Sequence, residues 1–135
     1  MKDLVKINIP SHPKYLSLVR DVTVWMGRLN GLDEGITDNL KLAVDEACSN
    51  VIKHAYRGNT SGNIVVKYKI TKKNFKVVLE DSGIKTDVES LKGRSLEDIR
   101  PGGLGIHFIK RVFDTFELDE KKKTGNRLIL IKNLK

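Results

Sequence analysis

Glu46-Ala47-Cys48-Ser49-Asn50-Val51-Ile52-Lys53-His54-Ala55 is the stretch on which the reading of this chain turns. It closes a longer segment in which Leu40, Val44, Ala47, Val51 and Ala55 recur at intervals of four, three, four and four residues, the spacing of one helix face. That face is apolar and is expected to enter a core. Glu46, Asn50 and Lys53 recur at i, i+4 and i+7 and share a different face. A carboxylate, an amide and an ammonium group in line supply a proton acceptor, an oxygen ligand for a hard cation such as magnesium, and a counter-charge for phosphate. The same spacing also describes a solvated helix face with a Glu/Lys pair, so the surrounding chain has to decide between them.

Working outward, this helix is expected to begin near Asp33 or Thr37 and to end about Tyr56, where Arg57-Gly58-Asn59 breaks it. Upstream, Leu4, Ile7 and Ile9 alternate with polar residues as a strand does, and Pro10 and Pro13 end it. A first helix follows from Tyr15 to Leu29, with Leu18, Val22, Trp25, Met26 and Leu29 at helical spacing and Asn30-Gly31 as its stop. Downstream, the β-branched runs 63–70 and 75–80 flank Thr71-Lys72-Lys73-Asn74 and read as an antiparallel hairpin that delivers Asp81 to a loop. Residues 82–101 are long for a connection in a compact domain, which suggests a functional lid or a disordered segment. A helix from about Leu104 to Phe113 and a last hairpin, roughly Thr115 to Glu120 and Arg127 to Ile131 with a turn over Lys123 to Asn126, complete the chain. The order βααββ, lid, αββ predicts a two-layer α/β sandwich, as a single domain over residues 1–135.

Composition narrows the function. With 135 residues, 39% hydrophobic content and no long apolar run, the chain is expected to be globular, soluble and cytoplasmic, without membrane contact. Cys48 is the only cysteine, which excludes an internal disulfide, and no Cys/His spacing resembles a zinc site. The net charge of +8 suits anionic partners, but the basic residues are dispersed and aromatics make up only 6%, so no direct nucleic-acid binding is expected. Lys121-Lys122-Lys123 reads as a solvated turn.

Two glycine-containing motifs accompany the helix. Asp81-Ser82-Gly83 follows a strand. A carboxylate there can accept a hydrogen bond from an exocyclic amine, and Gly83 lets the backbone pass close to a ligand. Gly102-Gly103-Leu104-Gly105-Ile106 opens a helix, where backbone N–H groups and the helix terminus favour phosphate. It is not a Walker A motif, since no Gly-Lys-Ser/Thr follows, and it does not sit after the first strand as a Rossmann fingerprint does. Arg94 and Arg100 lie in or beside the lid and could either reach a terminal phosphate or stay solvated.

In this order the three motifs resemble those of the Bergerat-fold (GHKL) ATPases, and the likeness runs from Leu4 to Leu134. Residues 46–55 resemble the N box, Asp81 and Gly83 the adenine motif, and residues 102–106 the second glycine box. The resemblance implies a mixed, mostly antiparallel sheet with helices packed on one face and an ATP lid. It implies ATP and Mg2+ as cofactors, with Asn50 as the metal ligand, Asp81 on the adenine amino group, and Lys53, Gly83, Gly102, Gly103, Leu104 and Gly105 around the nucleotide. Lys85 departs from the longer motif, standing where a second glycine is usual.

Glu46, four residues before Asn50, is where the serine-kinase branch carries its catalytic base, so the chain is most similar to the anti-sigma factor serine/threonine kinases. That resemblance implies a sigma factor and an anti-anti-sigma (STAS-domain) substrate as partners, and a homodimer, with Arg20 and Arg28 of the first helix as exposed interface candidates. It leaves no room for the phosphoacceptor helix of a sensor histidine kinase. Three alternatives stay open: a related switch kinase acting on a scaffold protein, a non-catalytic nucleotide-binding module, and a basic nucleic-acid-binding domain.

Overall fold

The computed structural model describes residues 3–86 and 103–134. In chain order its elements are β1 (Val5–Pro10), a 3-10 turn (Pro13–Tyr15), α1 (Leu16–Leu29), α2 (Glu34–Asn50) and a π-helical turn (Val51–Ala55). These are followed by β2 (Asn63–Ile70), β3 (Asn74–Asp81), α3 (Gly103–Val112), β4 (Thr115–Leu118) and β5 (Asn126–Asn133). The strands form one sheet in the order β1-β2-β3-β5-β4. All four pairings are antiparallel, so among the described residues the sheet is not the mixed one expected. The two-layer α/β arrangement is present. The lid expected over residues 82–101 lies mostly outside the described residues, which stop at Thr86.

Strand alternation sets the layers. Ile64, Val66 and Tyr68 of β2, Phe75, Val77 and Leu79 of β3 and Leu130 of β5 are buried on one sheet face, against the helices. α2 is the middle helix, packed between α1 and α3. It starts where Asp33 accepts a hydrogen bond from the Ile36 amide at 2.8 Å, an N-cap that satisfies one of the free donors of the first turn. Its apolar stripe is the expected one: Leu40, Val44, Ala47 and Ala55 are buried and Val51 half-buried, joined by Ala43 and a fully buried Cys48. Burial pushes the Cys48 thiol well above the ordinary thiol range, helped by the neighbouring Asp45 carboxylate.

The first helix buries only part of its expected apolar stripe, Val22 and Met26 packing against the core. Leu18, Trp25 and Leu29 are 51%, 58% and 74% exposed, while Leu16, Val19, Thr23 and Gly27 face inward. At Gly27 this face brings α1 close to α2, against Thr37. Thr23 can be buried because its hydroxyl donates or accepts at 2.7 Å with the Tyr68 hydroxyl and reaches the Val19 carbonyl at 2.8 Å. Arg20, expected to be exposed, is half-buried and paired with Asp45 at 2.9 Å. Arg28 is exposed, pairs with Glu34 at 3.1 Å and lies 5.9 Å from the Trp25 ring centroid.

Gly27 provides a test of that crossing. Helix propensity alone favours Gly27→Ala by about 1 kcal/mol. A Cβ there would stand 2.6 Å from Thr37 Oγ1 and 2.9 Å from its Cγ2, and the branched Thr37 side chain is stiff. Overpacking is therefore expected to dominate, with a net loss of about 1–3 kcal/mol read from the urea midpoint. Thr37→Ala should relieve it in the double variant, since Thr37 Oγ1 is buried without a hydrogen-bond partner among the described residues.

Candidate functional site

A cleft opens between the C-terminal half of α2 with its π-turn, the adjoining ends of β3 and β5, β4, and α3. It holds about 500 Å³ of space, part of it open to solvent, and is lined by Asn50, His54, Ala55, Asp81, Thr86 and Asn126 with an apolar wall that includes Leu79, Ile106 and Phe116. A mostly apolar pocket with a few convergent polar groups suits a flat heteroaromatic ligand.

Asp81 is the last residue of β3 rather than the first of a loop, and it is only 6% exposed. Its Oδ1 accepts hydrogen bonds from the Gly83 amide and from Asn126 Nδ2, each at 2.9 Å. Oδ2 accepts none among the described residues. Burial raises the Asp81 carboxyl above its ordinary value, opposed by those hydrogen bonds and by the nearby Lys122 charge. Gly83 lies hard against the π-turn, where a Cβ would come 2.5 Å from the Ala55 carbonyl oxygen, so only glycine lets the chain pass there. The next amide, Ile84, donates to that carbonyl at 2.7 Å, and the Ser82 amide donates to the Tyr56 hydroxyl at 2.8 Å. The segment after Asp81 is thus held to the end of the second helix through the Ala55 carbonyl and the Tyr56 hydroxyl.

Asn50 ends α2 with its Oδ1 buried and without a partner among the described residues. Leaving such an acceptor unpaired is costly, and a ligand that supplies a positive charge or a donor would remove the cost. Among the described residues no three His, Cys, Asp or Glu side chains gather as a metal site. A magnesium ion, which usually keeps several waters and takes few protein ligands beside substrate phosphates, fits a single amide oxygen of this kind.

Glu46 is half-buried, and a Cβ on Gly105 would stand 2.5 Å from its Oε2. Its carboxyl group therefore rests on the first turn of α3, in space that Gly105 leaves open, and it makes no ion pair among the described residues. Gly103 and Leu104 stand in that turn, and Gly102, Arg94 and Arg100 lie outside the described residues. Lys53 is exposed and does not line the cleft, whereas His54 does. The π-turn accounts for this: its wider winding advances each residue by less than an α-helix does, carrying Lys53 away from the Glu46 and Asn50 face. Lys85, in the usual glycine position, is exposed and sends its Nζ to the Lys122 carbonyl, outside the cleft lining.

Sequence reading missed Asn126, which it placed in a turn. The only signal available was an amide side chain at the start of a strand, and its cross-strand partner Asp81 is set by register.

Comparison with known proteins agrees with this geometry. The Histidine kinase-like ATPase domain family matches residues 9–132. The chain is 32% identical over 126 residues to the serine-protein kinase RsbW of Listeria innocua serovar 6a, covering 87% of this chain and 80% of that one. It is 27% identical over 143 residues to the protein of that name from Staphylococcus aureus strain Newman, covering 99% and 89%. In fold it is similar to the structure of the RsbU and RsbW domains of Rv1364c from Mycobacterium tuberculosis, with a TM-score of 0.68 at 15% identity over 96% of this chain and 31% of that chain. No described helix is long and apolar enough to cross a membrane. With its motifs gathered on one cleft and these relatives matching over most of its length, the chain belongs to the histidine kinase-like ATPase family, as an ATP-using protein serine kinase of the anti-sigma-factor type.

Proposed function

We propose that this kinase binds Mg-ATP in the cleft, captures a sigma factor, and phosphorylates a serine or threonine on a STAS-domain anti-anti-sigma partner. The observation that carries the catalytic part is the position of Glu46: a carboxylate clear of ion pairs among the described residues, against the first turn of α3 and one helical turn from Asn50. A helix N-terminus favours phosphate, so the groups that meet a transferred phosphoryl and a proton acceptor stand side by side.

In this reading Asp81 receives the adenine amino group on its unengaged Oδ2, and Gly83 keeps the backbone clear of the base. Asn50 would hold magnesium through Oδ1, and the ion, when bound, neutralises charge on the phosphates. The backbone of Gly103 to Gly105 would meet the phosphates, together with Gly102, which lies outside the described residues. Glu46 orients the partner's hydroxyl and takes its proton as the phosphorus–oxygen bond to that hydroxyl forms and ADP leaves. Phosphoryl transfer asks mainly for such positioning and charge neutralisation. Loss of the hydroxyl's neutrality on phosphorylation would release the partner, leaving the kinase to hold the sigma factor, so transcription is controlled without DNA contact by this chain.

The test is incubation of the protein with labelled ATP and each STAS-domain protein of its genome, alongside a sigma-factor pull-down. Label on a STAS serine or threonine is expected, and label only on some other scaffold would sink the assignment. Asn50→Ala is expected to lose magnesium-supported ATP binding by about 10–100-fold, the scale of disturbed metal sites. Magnesium titrations of ATP affinity that superimpose for wild type and variant would remove Asn50 from the metal site.

A further inference from the structure

Asn126 is 5% exposed, and among the described residues its side-chain hydrogen bonds all go to Asp81 and the segment after it. Its Nδ2 donates to Asp81 Oδ1 and to the Ile84 carbonyl, each at 2.9 Å, and its Oδ1 accepts from the Thr86 amide at 2.7 Å. The amide cannot flip without setting a donor against the Thr86 N–H and an acceptor against two oxygens. It is also the cross-strand partner of Asp81, in the β3–β5 pair nearest the cleft. Gly125, at φ 68°, makes that approach possible, because a Cβ there would overlap the Asp81 carbonyl.

We infer that Asn126 is a positioning residue for the nucleotide: it fixes the Asp81 carboxylate with Oδ2 toward the cleft and ties that orientation to the root of the segment after β3. The inference rests on the assignment of Asp81 to adenine. With Oδ1 occupied by Asn126 and Gly83, one oxygen is left to meet the base, so the carboxylate offers an acceptor in one fixed direction. The same side chain holds Ile84 and Thr86, so one amide fixes both the acceptor oxygen and the described residues that follow β3.

Among the described residues the titratable groups near Asp81 are few. His54 lines the same cleft from the π-turn and the charge of Lys122 acts on Asp81 from the β4–β5 connection, while Lys85 turns away to the Lys122 carbonyl and the described side chains of α3 and β4 in the lining are apolar. Glu80 points to the other sheet face, paired with Lys67 at 2.6 Å. Comparing each variant with wild type at each pH cancels the titration of these shared groups.

The experiment is calorimetric Mg-ATP binding from about pH 5 to about pH 8 for wild type, Asn126→Ala, Asn126→Asp and Asp81→Asn. Asn126→Ala should bind about 10–100-fold more weakly at neutral pH, the value of a hydrogen bond to a charged group. The deficit should widen as pH falls, because Asp81 has lost a bond that favours its ionised form. Asn126→Asp keeps the shape but sets carboxylate against carboxylate. It should bind poorly at high pH and recover as pH falls, once the pair holds one proton whose O–H donates to Asp81. Opposite pH slopes support positioning. Parallel slopes, or wild-type affinity in either variant, overturn it. Should Asn126→Ala fail to fold, the slope of the isosteric Asn126→Asp decides alone. If Asp81→Asn binds ATP as wild type does, the adenine assignment itself falls; if it binds weakly while the Asn126 variants match wild type, only this inference does.

Discussion

Glu46→Gln is expected to slow phosphoryl transfer to the protein partner by about 10²–10⁴-fold, the usual cost of losing a general base, with the loose transition state of phosphoryl transfer favouring the lower part of that range. Glutamine retains the length and hydrogen-bonding reach of glutamate and occupies the same space over Gly105. No ion pair among the described residues is broken by the change, so the fold should be unaffected. Nucleotide affinity should hold as well, since the proposed contacts to ATP come from Asn50, Asp81 and the glycine-rich turn. The variant is thus predicted to bind Mg-ATP and capture a sigma factor, yet to behave in a cell as an anti-sigma factor unable to inactivate its antagonist. Single-turnover transfer from labelled ATP, measured beside nucleotide affinity, separates the outcomes. Unchanged transfer would remove the catalytic role, and lost ATP binding in a folded protein would make Glu46 a nucleotide-holding residue.

Asp81→Asn should lower ATP affinity by roughly 10²-fold or more in a folded protein, combining a lost hydrogen bond to a charged group with a mismatched one. The surroundings decide which way the new amide faces. Position Oδ1 meets two donors, the Gly83 amide and Asn126 Nδ2, so the oxygen of the substituted side chain must stay there. Its NH2 is then forced into the cleft, donor against the donating amine of adenine. A freely rotating asparagine would avoid that conflict by flipping, and this one cannot. Equal affinities of variant and wild type by calorimetry would take Asp81 out of the adenine site.

Much of this was legible beforehand because it is local. The β-branched runs on either side of Thr71–Asn74, the apolar stripe through Leu40, Val44 and Ala47, and the glycines at 83 and 105 state their preferences within a few residues. Helix spacing also placed Glu46 and Asn50 one turn apart, and the structure keeps them on one helix.

The sequence by itself therefore determined the order and kind of the elements and the chemistry offered by the second helix and the two glycine motifs. Tertiary structure decided the rest. Which part of the apolar stripe of α1 is buried depended on how the helix sits on its neighbours: Gly27 meets Thr37 of α2 and Val22 and Met26 pack against the core, while Leu18, Trp25 and Leu29 stay exposed. The π-turn at Val51–Ala55 moved Lys53 out of the cleft and brought His54 to it, since winding there answers to packing and hydrogen bonding rather than to residue spacing. Asn126 met Asp81 only through the β3–β5 register, a pairing 45 residues apart that no local pattern encodes.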